Sequence, residues 1–408
     1  MSVGVTGAQR LVLTLVCAVA VATIYAIQPV LEVAGADLGM TSRSSGWLVA
    51  AGQIGYLAGL LLLVPLGDLL DRRRLITVHL VLTALGALAM AVAPNGAVAV
   101  FGLGFAGVFA VVVQVTVAYV AAVSPVHERG RNIGAVTSGV VVGILGVRIV
   151  AGALGDMIDW RAVYIVLAVL CLTLAVVVPR MFSPDTRQRT TRYTEVLGSM
   201  GRLVVGDRLF IGRGLISLFL FASFGTLWSG LALPLSSEPW HLSTTEIGLL
   251  GIAGLAGALG AARAGSWADA GRAEAVTGWS LAVLVASWLL VAQTGVTLWL
   301  VIAGIVLLDF AVQAVHVSSQ HILTTAHPDR ASSVIGTYMA FYSLGSALGA
   351  VTTTWAYATW GWWGSCLLGA TYGAAGLAVW AAAHRQPYGP RFESKTPDTS
   401  CTPCQRQA

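Results

Sequence analysis

Gly67-Asp68-Leu69-Leu70-Asp71-Arg72-Arg73-Arg74 and Gly265-Ser266-Trp267-Ala268-Asp269-Ala270-Gly271-Arg272 are two copies of one polar turn, Gly-x-x-x-Asp-x-x-Arg, each wedged between long apolar runs. A repeat near half the length of a 408-residue chain predicts one hydrophobic bundle built twice. Other positions agree. Gly46, Gly52 and Gly55 recur 202 residues later as Gly248, Gly254 and Gly257, and Ile133-Gly134 recurs as Ile335-Gly336. The two turns lie only 198 residues apart, so the second copy has lost four residues, about one helical turn, just before its turn.

Hydrophobic residues make up 57% of the chain and charged ones 10%, with a mean hydropathy of +0.81. A water-soluble domain of this size cannot carry that composition on its surface, so the chain is expected in a bilayer. A spanning helix needs roughly 20 apolar residues. Runs of that kind give twelve spans: 11–34, 45–66, 76–94, 97–123, 133–155 and 161–180, then 210–233, 246–264, 273–293, 297–323, 332–358 and 362–384. The expected fold is an all-α polytopic membrane protein with twelve transmembrane helices in two pseudo-symmetric six-helix bundles. Its parts are an N-terminal bundle over 1–180, a cytoplasmic linker over 181–209, a C-terminal bundle over 210–384 and a disordered cytoplasmic tail over 385–408.

Of the 23 basic residues, Arg43 and Arg161 fall on the exported side when residue 10 is placed inside, Arg148 sits deep within a span, and the other 20 are assigned to the cytoplasmic side. That asymmetry satisfies the positive-inside rule and puts both termini in the cytoplasm, with the protein in the cell (inner) membrane. The net charge of +5 then suits anionic lipid head groups rather than nucleic acid. Residues 11–26 resemble a signal-peptide core, but the run continues through Pro29-Val30-Leu31 and reads as the first span. Cys401-Thr402-Pro403-Cys404 has redox or metal spacing, yet it lies in a polar tail with no second pair nearby, so no metal and no cofactor are expected.

The duplicated halves, the basic linker and the charged turn between the second and third spans resemble the major facilitator superfamily. Gln28-Pro29, the Arg129-Gly130-Arg131-Asn132-Ile133-Gly134 start of the fifth span and Asp159-Trp160-Arg161 are similar to bacterial efflux permeases of the drug and sugar export type. Two positions depart from the family pattern. Arg73-Arg74 stands where a glycine usually precedes the last basic pair, and Gly139, Gly143 and Gly146 occur without the proline that marks the fifth span of drug antiporters. The resemblance implies that Gly67, Asp71 and Arg72 are gating residues that latch the two halves, with Asp269 and Arg272 as the weaker counterpart. Gly67 is expected to let the second span approach a neighbour closely; the alternative for the arginines is plain topogenic charge. Small-residue faces at Gly55 and Gly59, Gly139 and Gly143, Gly345 and Gly349, and Gly251 to Gly260 are expected on the second, fifth, eighth and eleventh spans. By resemblance these spans form the interface between halves.

The tenth span carries the most specific pattern. Asp309, Gln313, His316 and Gln320, spaced by four, three and four, fall within ~60° on one helix face. An ionisable group inside a membrane usually faces a water-filled cavity or a partner. By resemblance the first, fourth, seventh and tenth spans line a central cavity, where Tyr25, Gln28, Gln114, Trp228 and Ser229 add contacts to substrate. Arg148 lies 15 residues from the cytoplasmic end of its span and Asp309 lies 14 from that of the tenth, both roughly 21–23 Å deep. Equal depth allows a salt bridge between halves, which would offset the cost of two buried charges.

These residues predict a transporter that exports a small amphipathic organic molecule against proton entry. Asp309 is the candidate proton acceptor, His316 a second titratable group with a reference pKa of roughly 6.5, and Arg148 their partner. The alternatives are an uptake symporter or facilitator for an organic anion or sugar, with Arg148 as anion anchor, and a non-transporting sensor on the same scaffold. An enzyme is not expected: the chain lacks Gly-x-Ser-x-Gly, His-Glu-x-x-His and P-loop motifs, and its single lysine is Lys395. The expected partners are a small-molecule substrate, protons and membrane lipids, with no nucleic acid, and the chain is expected to work as a monomer.

Overall fold

The computed structural model describes residues 5–125, 128–184, 193–260, 271–327 and 331–385, and among these every regular element is helical. Helices are what a bilayer imposes, because a spanning segment must satisfy its own backbone polar groups. The first half holds α1 (Gly7–Tyr25), α2 (Leu31–Asp37), α3 (Ser42–Leu62), α4 (Arg72–Ala91), α5 (Gly96–Ala110), α6 (Val112–Val123), α7 (Arg129–Met157) and α8 (Trp160–Met181). After α9 (Tyr193–Gly206) come α10 (Arg208–Gly230), α11 (Ala232–Leu235), α12 (Thr244–Leu249), α13 (Gly251–Gly260), α14 (Ala273–Val291), α15 (Leu298–Ala326) and α16 (Ala331–Arg385).

Among the described residues, ten helices are each long and apolar enough to cross a membrane. One of them, Val334–Ala383, holds two spans, and the shorter Thr244–Leu259 lies where the eighth is expected, so the described residues account for two bundles of six. The fold at Gly361, at φ +65, is the left-handed conformation glycine tolerates. It turns α16 back on itself, so that Ser365 Oγ donates to the Thr353 carbonyl at 3.1 Å and Thr352 Oγ1 meets Tyr372 Oη at 3.1 Å.

Short polar residues in the turns start the spans. Thr6, Thr41, Asp71, Asn95, Asp159, Asp207 and Ser243 each accept a hydrogen bond from the first turn of the helix that follows. The acids of the sequence turns are therefore helix caps as well as charges. The first span is shorter than the apolar run suggests. It ends at Tyr25, and Ala26 to Val30 form a buried turn around Pro29 before α2 begins. Hydropathy does not register the break, since the turn is as apolar as the helix, but proline has no N–H to continue the ladder. Within the linker, α9 docks on the end of the second span, where Tyr193 Oη donates to the Leu62 carbonyl at 2.9 Å.

The two halves meet along α3 with the first arm of α16, and along α7 with α12 and α13. These are the second, eleventh, fifth and eighth spans, but the GxxxG pairs are not at the seam. Gly55 and Gly59 fit against backbone of α5, Gly139 and Gly143 against Thr14 and Ala18 of α1, and Gly345 and Gly349 against Leu218 and Ala222 of α10. Each pair packs inside its own half, because any two helices that cross closely in lipid need small residues and spacing alone does not say which neighbour they meet. The seam uses other glycines. A Cβ on Gly46 would strike the Ala350 carbonyl and Thr354, one on Gly248 the Arg148 carbonyl, and one on Gly152 the Thr244 carbonyl. The repeat reappears here: Gly46 against Ala350 and Gly248 against Arg148 are the same contact displaced by 202 residues.

Candidate functional site

Between the bundles lies a cavity of about 600 Å³. It runs from Tyr25, Gly254 and Asp309 at mid-depth to Gly134, Gln320 and Ile335, near helix ends on the side where the linker lies. The far side is sealed across the seam. Asp156, at the end of α7, accepts from Thr244 N at 3.1 Å and from Thr245 N at 2.7 Å, and Thr244 Oγ1 donates to the Gly152 carbonyl at 2.9 Å. Ser236 is hydrogen-bonded to Glu32 of the opposite half.

The polar stripe of the tenth span faces this cavity. Asp309, Gln313, His316 and Gln320 all line it, because the four residues share one face of α15. Tyr25 and Gln114 from the first and fourth spans line it too. The His316 ring is fixed at both nitrogens: Gln320 Nε2 lies 2.9 Å from Nε2 and Tyr338 Oη 3.1 Å from Nδ1. With the amide donating to Nε2, the neutral ring carries its proton on Nδ1 and donates it to the tyrosine.

Gln28, Trp228, Ser229 and Arg148 are not on the cavity wall. Gln28, Arg148 and Trp228 form a buried layer behind its mid-depth end, with a void of about 10 Å³ between them and neighbouring apolar side chains, and Ser229 is buried too. Arg148 and Asp309 are electrostatically coupled but make no ion pair within 4.0 Å among the described residues. Trp228 stands between them. The Arg148 guanidinium lies 3.6 Å from its ring centroid, Trp228 Nε1 donates to Asp309 Oδ1 at 3.2 Å, and Gln28 Oε1 accepts from Arg148 Nε at 3.2 Å and Nη2 at 3.0 Å. The expected direct bridge is replaced by an indole, which offers its face to the cation and its N–H to the anion.

Sequence reasoning missed several wall residues. Gln53 and Tyr56 come from the second span and Tyr342 from the eleventh; Tyr342 is hydrogen-bonded to Tyr25 across the halves, and Tyr56 Oη accepts from Gln114 Nε2 at 3.2 Å. A glutamine inside an apolar span was the available signal for Gln53. Phe221 packs on Tyr342 at 4.1 Å and on His316 at 5.2 Å between centroids, which makes the wall of the second bundle aromatic around its titratable groups.

The charged turn is a capping structure here. Asp71 accepts from Arg73 N at 3.0 Å and lies 3.9 Å from Arg74, while Arg73 Nη1 donates to the carbonyls of Pro179 at 3.3 Å and Phe182 at 3.2 Å in the same half. Arg72 is buried. Among the described residues, a Cβ on Gly67 would meet nothing within 4 Å. The glycine is nonetheless buried, in the short 3₁₀ turn Val64–Asp68, which packs on α3, α6 and α9 before α4 begins. Asp269 lies outside the described residues, and Arg272 is exposed just before α14. On the far side, Asp159-Trp160-Arg161 ties loops together: Trp160 Nε1 donates to Asp37 Oδ2 at 3.3 Å, Arg161 pairs with Asp37, and Arg161 Nη2 donates to the Ala93 carbonyl at 3.2 Å. The guanidinium beside Asp37 holds that carboxyl below the usual carboxylate range.

The sequence model of the Major Facilitator Superfamily matches residues 13–235 and 213–403. The chain is 36% identical over 368 residues to a putative uncharacterized transporter, YgaY, of Escherichia coli strain K12, covering 90% of this chain and 93% of that one. It is 32% identical over 386 residues to the probable transporter SCO4007 of Streptomyces coelicolor, covering 93% and 88%. Among solved structures, a bacterial homolog of the human lysosomal transporter Spinster, in an inward-facing and occupied conformation, superposes with a TM-score of 0.74 at 16% identity, covering 92% of this chain and 96% of that one.

Proposed function

The chain belongs to the major facilitator superfamily and is a transporter of that type, and we propose that it exports a small amphipathic organic molecule in exchange for protons by alternating access. The observation that carries this reading is Asp309. It is a buried carboxylate on the wall of a two-bundle cavity, and no arginine or lysine is among the described residues that line that cavity. A carboxylate so placed can be reached from one side at a time, and its protonation changes the charge balance at the seam. His316 and Gln320 are the second polar station on the way to the linker side. Uptake of an organic anion held by Arg148 lacks this support, because the guanidinium is stacked on Trp228 behind the wall.

In this reading the linker side is cytoplasmic, which the distribution of arginines favours, and the cavity is open to the cytoplasm and closed outside. The charged turn acts as the latch of the opposite state, in which the linker sides of the two halves close, and the chain works as a monomer in the cell membrane. Transport by the purified protein in proteoliposomes, under pH gradients of either sign, tests the proposal. A panel of fluorescent amphipathic compounds is expected to move against the direction of proton flow and to stop when an ionophore collapses the gradient. Movement in the same direction as protons, or movement unaffected by the ionophore, overturns it.

A further inference from the structure

Gln28, Arg148, Trp228 and Asp309 form a line across the seam, two residues from each bundle. Each is buried: Arg148 is 1% exposed, Gln28 2%, Asp309 3% and Trp228 5%. Gln28 fixes the guanidinium from the first bundle, the guanidinium lies on the indole of the second, and the indole N–H holds the carboxylate. Arg148 Nη1 and Asp309 Oδ2 are left without a hydrogen-bond partner among the described residues. The arrangement is thus held together by charge rather than by full satisfaction of its polar atoms.

The line exists in one seam only. Counting 202 residues between copies, Arg148 corresponds to Ala350 and Asp309 to Gly107. The backbone contacts of the two copies correspond: Gly46 rests on the Ala350 carbonyl as Gly248 rests on that of Arg148, and Gly55 rests on the Gly104 carbonyl as Gly257 rests on that of Val306. A Cβ on Gly254 would collide with both Asp309 Oδ2 and the Trp228 ring, so the missing side chain leaves room for the acid and the indole together. The scaffold is duplicated and the charged line is not.

We propose that Trp228 is a positioning residue that makes opening of the far seam conditional on the state of Asp309; this rests on Asp309 being the coupling carboxylate. While Asp309 is ionised and the cavity empty, its charge holds the indole by a charge-assisted bond and balances Arg148 through the ring, so the two halves stay together behind the cavity. Protonation turns that bond into a neutral one, roughly half as strong, and leaves Arg148 without its counter-charge. A substrate that engages the carboxylate has the same effect. The empty, ionised carrier is therefore the species that cannot turn over, which is the condition that keeps an exchanger from leaking protons or substrate. Other titratable groups facing this layer are Tyr25 on α1 and Tyr342 on α16, with His316 further along α15, while α13 brings Gly251 and Gly254 against it.

The test places spin labels at Ala36→Cys and Glu238→Cys, exposed far-side positions on opposite halves, in protein whose native cysteines are replaced, and reads the distance distribution at pH 8 and pH 5 without substrate. The wild type is expected to show a short distance at pH 8 and a second, longer population at pH 5. Trp228→Phe keeps a ring for the cation but has no N–H, and it is expected to show the longer population at both values. Arg148→Lys keeps the charge but not the planar stack, and it is expected to lose the pH response too. Asp309→Asn should be pH-independent. If Trp228→Phe or Arg148→Lys keeps the full wild-type response while Asp309→Asn loses it, the role of Trp228 is overturned and the coupling carboxylate stands. If Asp309→Asn itself responds like the wild type, both fall.

Discussion

Asp156 of the first half caps the eighth span of the second, accepting from Thr244 N at 3.1 Å while its other oxygen accepts from Thr245 N at 2.7 Å. Ser243 Oγ takes the next amide, from Glu246, at 3.3 Å. The N–H groups at the start of that helix are thus satisfied partly from across the seam, so the halves cannot separate there without leaving two amides to water.

Asp156→Ala should therefore favour the state open on the far side. Loss of a capping side chain costs about 0.5–2 kcal/mol, equivalent to a shift of roughly 2- to 30-fold between the two conformations. The same Ala36 and Glu238 label pair reports it. A distance distribution identical to that of the wild type would mean that packing at Gly152 and Gly248 closes the seam alone.

Asp309→Asn should abolish gradient-driven transport yet keep substrate counterflow, since the amide preserves the shape of the wall and much of its hydrogen bonding. Both are measured in the same vesicles. Accumulation against a gradient by this variant would move the coupling role to His316.

Arg148→Gln and Asp309→Asn should not be additive. Removing one charge strands the other, at a cost of about 3–5 kcal/mol, whereas removing both strands neither. A thermal-stability cycle should show a coupling of about 0.5–3 kcal/mol. With Trp228 between the charges, the Trp228→Phe background should shrink that coupling. Additive losses would separate the two residues energetically.

Asp71→Asn should impair transport while membrane insertion and stability hold. Asparagine caps a helix about as well as aspartate, so α4 still starts correctly, and the topogenic arginines remain. Wild-type flux in proteoliposomes would remove the turn from the gating cycle.

Asp37→Asn should lower the unfolding temperature of detergent-solubilised protein at pH 7, with the difference shrinking in acid. The folded carboxyl is held below its unfolded value by Arg161. Its contribution is therefore full above about pH 3.9 and lost as pH falls through the lower folded value. A difference that does not shrink as pH falls below about 3.9 would mean that Asp37 acts through shape rather than charge.

The stripe on the tenth span was legible because a carboxylate, an imidazole and two amides at helical spacing inside an apolar run have few uses in a bilayer. Arg148 was legible for the same reason, and its depth matched that of Asp309. What stands between them was not, since Trp228 reaches the pair from a third helix and nothing in its local sequence says so. Twelve spans follow from hydropathy, whereas the turn at Ala26 to Val30 escapes it because a buried turn is itself apolar. The GxxxG pairs show a related blindness: Gly139 and Gly143 announce close packing, but whether α1 or the other half supplies the neighbour depends on tertiary arrangement. Gln53 and Tyr342 lie on spans that were assigned wholly to the interface, yet in this state those spans also turn a face to the cavity.

The cavity wall is unequal. Most of its branched aliphatic side chains, among them Val21, Ile24, Val113, Val140 and Ile144, come from the first bundle, while the carboxylate of Asp309 and the imidazole of His316 come from the second. A guest molecule would then meet both of these titratable side chains on the second bundle and more aliphatic surface on the first. As the bundles rock, it should ride with the second and slide over the first, like a passenger seated in one of two passing carriages. Substitutions on the second bundle should then change which chemical groups are accepted, and substitutions on the first how large and how greasy a body can travel.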